Sequence, residues 1–253
     1  MHKSRLSVFF VTLNEAATIQ QAIEAVSEFD EIIVVDSGST DGTVEIAEKA
    51  GARVIHQQWL GFAKQKSFAM NLCKNEWVFN LDGDEIVTPD VITEIKALIE
   101  ADSCDGIRVN FEDVFMGRPM HPQSHKRSIV RVFKKSKARY PTDRLVHENV
   151  ILEGKVSRIK SNILHYGYQS AADFMAKQNT YSTLGARQKK IKGKKHSLLK
   201  LLLIFPIAFI KAYFLHKMFL SGWRGFIHAM IEAMYSFLKE AKLYEQYKTT
   251  DKA

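Results

Sequence analysis

Residues 31–43 read Glu-Ile-Ile-Val-Val-Asp-Ser-Gly-Ser-Thr-Asp-Gly-Thr. Glu31 to Val35 is an apolar run of the kind buried on both faces of a parallel sheet. Asp36 to Gly42 is small and polar throughout, the composition of a tight turn. Thr43 to Ala50 then carries helical spacing, with Thr40 or Asp41 as cap and Gly51 as terminator. The same order of strand, polar turn and helix recurs on either side. Leu6 to Val11 leads through Thr12-Leu13-Asn14-Glu15 into a helical stretch, Ala16 to Glu28. Ala52 to Ile55 precedes a helix over Ala63 to Cys73, and Glu76 to Leu81 runs into Asp82-Gly83-Asp84-Glu85 ahead of a helix near Pro89. Strands alternating with helices predict an α/β fold, a Rossmann-like, mostly parallel sheet flanked by helices. In such sheets ligands bind beyond the carboxyl ends of the strands, where these polar turns lie.

Past Gly106 the rhythm changes. Gly106 to Phe111, Ser128 to Phe133, Asn149 to Leu152 and Val156 to Ile163 are short β-like pieces separated by polar turns, long enough to form an acceptor site. From Tyr168 on the chain reads as helical, over Ala171 to Lys189, Leu198 to Leu220 and Gly225 to Tyr247. The expected organisation is a catalytic-type α/β domain over 1–168 and a helical region over 169–253.

Composition narrows the class. With 46% hydrophobic and 25% charged residues among 253, the chain is neither disordered nor of low complexity. Two cysteines, Cys73 and Cys104, exclude a disulfide scaffold and a Cys-rich zinc site, and fit a reducing cytosolic compartment. The first eleven residues are too short an apolar run for a signal peptide, so export is not expected. The net charge of +8 is localised: Phe174 to Ile231 has no Asp or Glu, yet holds eleven Lys and Arg. Such segregation points to an anionic surface, lipid or nucleic acid. The basic residues are mainly Lys among Leu, Ile and Phe, with only Arg187 and Arg224, whereas base and phosphate-fork readers favour Arg. That disfavours a nucleic-acid-binding module. Leu198 to Leu220, interrupted by Lys200, Pro206, Lys211 and Lys217, is expected to lie in a membrane interface and not to cross it, next to the polybasic linker 189–195. The alternative is a buried core helix.

Three polar turns carry the candidate chemistry. Asp82 and Asp84, two carboxylates at i and i+2 on a turn leaving a strand, can converge on one hard divalent cation. Gly83 permits the sharp bend between them, and a cation there could neutralise a departing diphosphate. An acidic surface turn capping the next helix is the plainer alternative. Asp36 is placed to accept a hydrogen bond from a base N–H, although an N-capping turn would look the same. The turn Thr12 to Glu15 adds a third polar loop. There is no His-Glu-x-x-His helix and no Gly-rich phosphate loop of the Walker type, so zinc hydrolysis and P-loop chemistry find no support.

Taken together, Phe10-Val11-Thr12-Leu13-Asn14-Glu15, Asp36 to Thr43, Gly61-Phe62-Ala63-Lys64-Gln65-Lys66 and Asp82-Gly83-Asp84 resemble the family 2 glycosyltransferases of the GT-A fold. The likeness is strongest to bacterial lipopolysaccharide inner-core β-1,4-glucosyltransferases, and there it extends through Arg144-Leu145-Val146-His147-Glu148 and His165-Tyr166 to the basic C-terminal region. The resemblance implies an inverting, metal-dependent hexosyltransferase using a UDP-sugar, UDP-glucose above others, with Mg²⁺ or Mn²⁺. It implies that Asp36 binds uracil, that Thr12 and Glu15 lie beside the uridine, and that Lys66 reaches the nucleotide. Asp82 and Asp84 would bracket metal and donor sugar, Asp84 being the stronger metal ligand. Ser37 and Ser67 depart from the family, which often has Asp and Asn there.

Inversion requires a base to take the acceptor proton. Glu148 is the first candidate, Asp143 the second, with Glu112 and Asp113 behind; a surface pair of Glu148 with Arg144 is the competing reading. His147 and His165 are possible metal or phosphate contacts, more often structural in type. Arg118, His121, His125, Lys126, Arg127 and Arg131 form a basic stretch that would suit a phosphorylated acceptor, or simply a solvated loop. The expected acceptor is a membrane-anchored glycolipid, the lipopolysaccharide inner-core heptose, reached from the cytoplasmic face of the bacterial inner membrane. A polyprenyl phosphate or another surface glycan is the alternative.

Overall fold

A computed structural model describes residues 4–141 and 149–250 of the protein. Its first half follows the expected alternation: β1 (Ser4–Thr12), α1 (Ile19–Glu24), β2 (Phe29–Asp36), α2 (Thr43–Lys49), β3 (Arg53–His56), α3 (Phe62–Leu72) and β4 (Trp77–Asp82). A short β5 (Glu85–Ile86) and α4 (Pro89–Glu100) come next. They are followed by β6 (Gly106–Phe115), β7 (Arg118–Pro119), β8 (Arg127–Lys134), β9 (Ala138–Arg139), β10 (Ile151–Leu152) and β11 (Val156–Tyr168). The chain then turns helical, as α5 (Ala171–Ile191), α6 (Leu198–Ile210) and α7 (Gly222–Thr250).

The main sheet runs β3-β2-β1-β4-β8-β6-β11-β5, with β7 paired to β6. Its β3-β2-β1-β4 part is parallel. From β4 to β8, β8 to β6 and β11 to β5 the pairing is antiparallel, so the α/β sheet is mixed. β9 and β10 form a separate ladder.

Alternate residues of the parallel strands feed two cores. Leu6, Val8 and Phe10 pack with Val34, Phe79 and Leu81 against α1, α2 and α4, through Ile19, Ile23, Ala47, Val91 and Ile95. Phe9, Ile33, Val35 and Val78 face the other way, onto Ala63, Ala69 and Met70 of α3. That explains why these strands read as unbroken apolar runs: both faces are covered. Each fully buried Phe or Ile contributes about 1.5–3 kcal/mol over its exposed state. Cys73 and Cys104 are buried, free thiols; burial pushes the Cys73 thiol up to about 12, so it is inert.

The chain divides into two compact units. One comprises the chain to Glu112 with Lys126–Tyr166; the other comprises Asp113–His125 with the chain from Gly167 on. In the second, Ser170 caps α5 by accepting from the Asp173 amide at 3.0 Å. Phe115, Met120, Phe174, Met218 and Ala229 form its core. Arg224 donates to the carbonyls of Phe115 and Arg118 at 2.9 and 2.8 Å, tying the β6–β7 turn to α7. Glu240 is buried on α7 and pairs with Lys189 of α5 and Lys200 of α6.

Two helices differ from expectation. The stretch predicted over Ala16 to Glu28 is regular only from Ile19 to Glu24, because Asn14 takes a left-handed φ of 57° and Thr18 offers no side-chain cap. The helix predicted over Leu198 to Leu220 continues past α6 only as a π-helical turn, Lys211–Leu215. It stops where Lys217 adopts φ 55°, and a 3₁₀ turn Met218–Ser221 leads into α7. Gly225 is obligatory at this corner: a Cβ there would stand 1.7 Å from the Met218 carbonyl oxygen.

Candidate active site

The parallel register brings three loops to one rim. Thr12 pairs with Asp36 across β1 and β2, and Val11 pairs with Asp82 across β1 and β4. The turns that follow must therefore emerge side by side. The first two are knitted together. Ser39 Oγ accepts from the Asn14 amide at 2.8 Å, Asn14 Oδ1 accepts from the Thr40 amide at 2.9 Å, and Thr43 Oγ1 accepts from the Glu15 amide at 2.9 Å. Asp41 accepts from the amides of Ala16 and Thr43, and its hydrogen bond from the Thr43 hydroxyl keeps its carboxyl below the ordinary range.

Asp36 is buried at the floor of this rim. Its Oδ2 accepts from the amides of Gly38 and Ser39 at 2.7 and 2.9 Å, and its Oδ1 accepts from the Ser39 hydroxyl. Gly38 takes φ 105°, a conformation costly for other residues. From α3, buried Gln65 donates to Ser37 Oγ at 3.2 Å and to the Gln57 carbonyl at 2.9 Å, bracing the loop from the side.

The third loop closes onto the first. A Cβ added to Gly83 would stand 3.0 Å from Cβ and Cγ of Glu15 and 3.4 Å from Cγ2 of Thr12. The acidic turn thus lies in contact with the β1 loop and needs the missing side chain to do so. Thr12 is itself buried, and among the described residues its hydroxyl has no partner. An orphaned buried hydroxyl is costly unless a ligand satisfies it.

A buried polar network holds the acidic turn from beneath. Arg131 of β8 donates to Asn80 Oδ1 and Asp82 Oδ2, both at 2.9 Å, and to Glu85 Oε1 at 2.5 Å. Its guanidinium lies 5.2 Å from the Phe111 ring centre. Tyr140 donates to Asn80 Oδ1 at 3.2 Å, and the Asp82 amide donates to Glu85 Oε2 at 3.0 Å. Lys66 Nζ stands 3.5 Å from Asp82 Oδ1. Burial would raise the Asp82 carboxyl, but Lys66 and Arg131 outweigh it and hold it well below the usual range. Glu85 goes the other way: burial, with Asp82 adding to it, pushes its carboxyl up to about 7 against the pull of Arg131. On the far side of the turn, His165 Nε2 is 3.9 Å from Asp84 Oδ1, and the Tyr166 amide donates to the Asp84 carbonyl at 2.8 Å.

The donor set suits a hard divalent cation in part. Both oxygens of Asp82 already face a protein cation, whereas Asp84 lies outside that network and faces His165 at 3.9 Å, so of the two it is the carboxylate that could hold a cation. Among the described residues no three His, Cys, Asp or Glu gather into a metal cage. Phosphate oxygens and water would have to complete the sphere, the usual arrangement for Mg²⁺ at a nucleotide.

With this geometry in view, residues 7–151 match the family model described as glycosyl transferase family 2. The chain belongs to that family. A curated relative from Rhizobium meliloti, the lipopolysaccharide core biosynthesis glycosyltransferase LpsC, is 35% identical over 97% of this chain and 94% of its own. An uncharacterized glycosyltransferase of Rickettsia felis is also 35% identical, over 95% and 90%. Among solved structures, S. aureus TarS 1–349 in complex with UDP aligns with a TM-score of 0.51 at 15% identity, covering 97% of this chain and 92% of that one. That likeness concerns the fold, and it agrees with the expected GT-A architecture.

For this glycosyltransferase, six of the residues singled out from sequence meet at one rim: Thr12, Glu15, Asp36, Lys66, Asp82 and Asp84. Glu148, Asp143 and His147 lie outside the described residues. Glu112 accepts from Lys126 at 3.2 Å and from Asn162 at 3.1 Å. The basic stretch does not act as one surface: Lys126 pairs with Glu112, and Arg131 is buried beneath the acidic turn, where it cannot meet an acceptor. Asn80 and Tyr140 are not singled out by the sequence reading, and Glu85, quoted with the acidic turn, is given no role there. The available signal was Arg131 itself, a charge inside the apolar run Ile129-Val130-Arg131-Val132-Phe133, which requires a buried counter-charge.

Proposed function

We propose that this glycosyltransferase moves a hexose, glucose, from a UDP-sugar to a membrane-anchored glycolipid with inversion, the acceptor being the lipopolysaccharide inner-core heptose. The observation that carries the reading is the meeting of the Asp82–Asp84 turn with Thr12 and Glu15, beside the Asp36 loop. In this reading the rim supplies the Asp36 carboxylate for a base, the buried Thr12 hydroxyl beside it, and Asp84 for a cation where a diphosphate would leave. The name of LpsC supports the acceptor class, and TarS, crystallised with UDP and with UDP-GlcNAc, supports a UDP-sugar donor.

In this reading Asp36 and the loop around it bind uracil, Thr12 and Glu15 face the uridine, and Asp82 orients the sugar. Lys66 sits at the diphosphate side of Asp82. A divalent cation on Asp84 would supply charge neutralisation for the departing UDP. The acceptor oxygen attacks the anomeric carbon from the face opposite the diphosphate. The C–O bond to UDP breaks as the new one forms, and a carboxylate takes the acceptor proton. Glu148 is assigned that role, with Asp143 second.

The second unit fits a membrane surface. Leu198–Leu215 is long and apolar enough to cross a bilayer by length and composition alone. Yet Lys200 and Lys211 interrupt it, and Leu199, Leu202, Leu203, Ile207, Ile210 and Phe214 form an exposed apolar stripe at helical spacing. Exposed Lys192, Lys194 and Lys195 stand just before it. A helix of this kind lies in the headgroup region with its lysines at phosphates. The enzyme is accordingly assigned to the cytoplasmic face of the inner membrane, as a peripheral protein.

A donor screen by UDP release, with heptose-containing core lipid and polyprenyl phosphate as parallel acceptors, tests the reading. Turnover of UDP-glucose with the core lipid supports it. Turnover with polyprenyl phosphate alone shifts the acceptor to the alternative, and no UDP-sugar turnover with either overturns it. Glu148→Gln is expected to bind donor normally and to lose turnover; unchanged turnover would move the base to Asp143.

A further inference from the structure

We infer that Arg131 is the positioning residue of the acidic turn, fixing where Asp84 presents its carboxylate to the cation–diphosphate. The inference rests on the donor-site reading given above and goes beyond it by naming what holds the site in shape.

Arg131 is almost fully buried in the middle of the sheet, on β8, between β4 and β6. One guanidinium reaches three elements of the turn at once: Asn80 inside β4, Asp82 at its end, and Glu85 at the start of β5. These three residues bracket Gly83 and Asp84 on both sides. The turn is thus pinned at entry and exit by a single rigid fork, and the residue between the pins is Asp84. The fork is itself immobilised, stacked over Phe111 and sharing Asn80 Oδ1 with the Tyr140 hydroxyl. Two further contacts locate Asp84 from the other side. The Tyr166 amide holds its carbonyl at 2.8 Å, and β11 is set against β5 by the pairing of His165 with Glu85.

The arrangement also divides labour between the two aspartates. Arg131 covers Asp82 Oδ2 and Lys66 faces Oδ1, so Asp82 is held by two protein cations, whereas Asp84 lies outside the fork and faces His165 at 3.9 Å. Only a planar, forked cation can do this. A lysine at the position carries the charge, but as a single point it cannot span Asn80, Asp82 and Glu85 together.

The test is calorimetric titration of Arg131→Lys and Asp84→Ala with UDP alone and with UDP plus Mn²⁺, alongside thermal melting and transfer kinetics. Arg131→Lys is expected to melt as a folded protein and to bind UDP alone as the parent does, since the Asp36 loop is untouched. Its gain in UDP affinity on adding Mn²⁺ should fall about tenfold, with kcat falling more than the donor KM rises. An unchanged Mn²⁺ gain in Arg131→Lys, where Asp84→Ala has lost it, overturns the positioning role and leaves the donor site standing. A Mn²⁺ gain that survives in Asp84→Ala overturns the donor-site reading itself. If Arg131→Lys does not fold, Tyr140→Phe decides, because it removes the hydroxyl that helps to hold Asn80, one of the fork's three acceptors, in place. A severalfold smaller Mn²⁺ gain at parental UDP affinity supports the role, and no change refutes it.

Discussion

Gly83 and Glu15 stand so close that a methyl group on the glycine would be 3.0 Å from the glutamate's Cβ and Cγ. The two residues belong to different strand ends, so this proximity measures how tightly the two loops are closed onto each other. Gly83→Ala must displace either the acidic turn or Glu15, a repacking that costs about 1–3 kcal/mol. Gly83 has no left-handed φ, so the penalty is steric and local. Steady-state kinetics should show the donor KM raised about tenfold, while melting shifts by only a few degrees. Parental kinetics would mean that the loops move independently of donor binding.

Asp84→Ala should abolish transfer and leave the fold intact. Asp84 takes no part in the Arg131 fork, and the backbone hydrogen bond from the Tyr166 amide to its carbonyl is one that alanine retains. The expected loss is at least a thousandfold in kcat/KM with a parental circular dichroism spectrum. An active variant would remove the cation from this position.

His228 gives the second unit a pH dependence with a definite sign. It is buried against Phe115 and Phe174, and among the described residues neither ring nitrogen has a hydrogen-bond partner. Burial lowers its pKa to about 4, with Asp113 opposing and His216 assisting. The unfolded chain, at the ordinary 6.5, therefore binds the proton more tightly. Stability is full above about pH 6.5, falls as the pH drops toward 4, and is reduced by roughly 2 kcal/mol at pH 5. Urea melts at pH 7.5 and 5 should show this loss, and His228→Phe should remove most of it. An equal loss in His228→Phe would place the effect elsewhere.

The exposed stripe on α6 predicts separable apolar and electrostatic contributions to membrane binding. Leu202 is 75% exposed and Ile207 57%, so replacing both with Glu should leave the melting temperature within a degree or two. Each apolar side chain withdrawn from a bilayer costs about 1.5–3 kcal/mol. Sedimentation with anionic liposomes should therefore weaken at least a hundredfold. Replacing Lys192, Lys194 and Lys195 with Ala should weaken it by a similar factor, at about 1 kcal/mol per Lys, and only at low salt. Retained sedimentation of the Leu202/Ile207 variant would mean that α6 does not touch lipid. Resistance to alkaline extraction would mean that it spans.

The parallel half of the fold was legible because its strands are buried on both faces, which writes uninterrupted runs such as Ile32 to Val35 into the sequence. Its polar turns were legible for the complementary reason: beyond the strand ends the chain leaves the two covering layers, and small polar residues make the turns. Lys66 was placed from family likeness and lies beside Asp82. What escaped was the support beneath. Arg131 meets Asp82 and Glu85 across 49 and 46 residues of chain, and the antiparallel order that joins β8 to β4 leaves no periodic trace. The break after α6 escaped too, since Lys217 gives no compositional warning of a left-handed φ. Pro206 sits inside the helix, so the break does not fall at the proline.

Glu240 is a buried acid that α7 lends to the neighbouring helices, and Lys189 and Lys200 close on it from two directions. Two cations of the long stretch without acids thus find their counter-charge outside it. Trimming the tail ahead of this position to obtain a better-behaved protein would strand two ammonium groups together, one of them half-covered. The shortened enzyme should then splay its helices apart and aggregate through the leucines it was meant to tame.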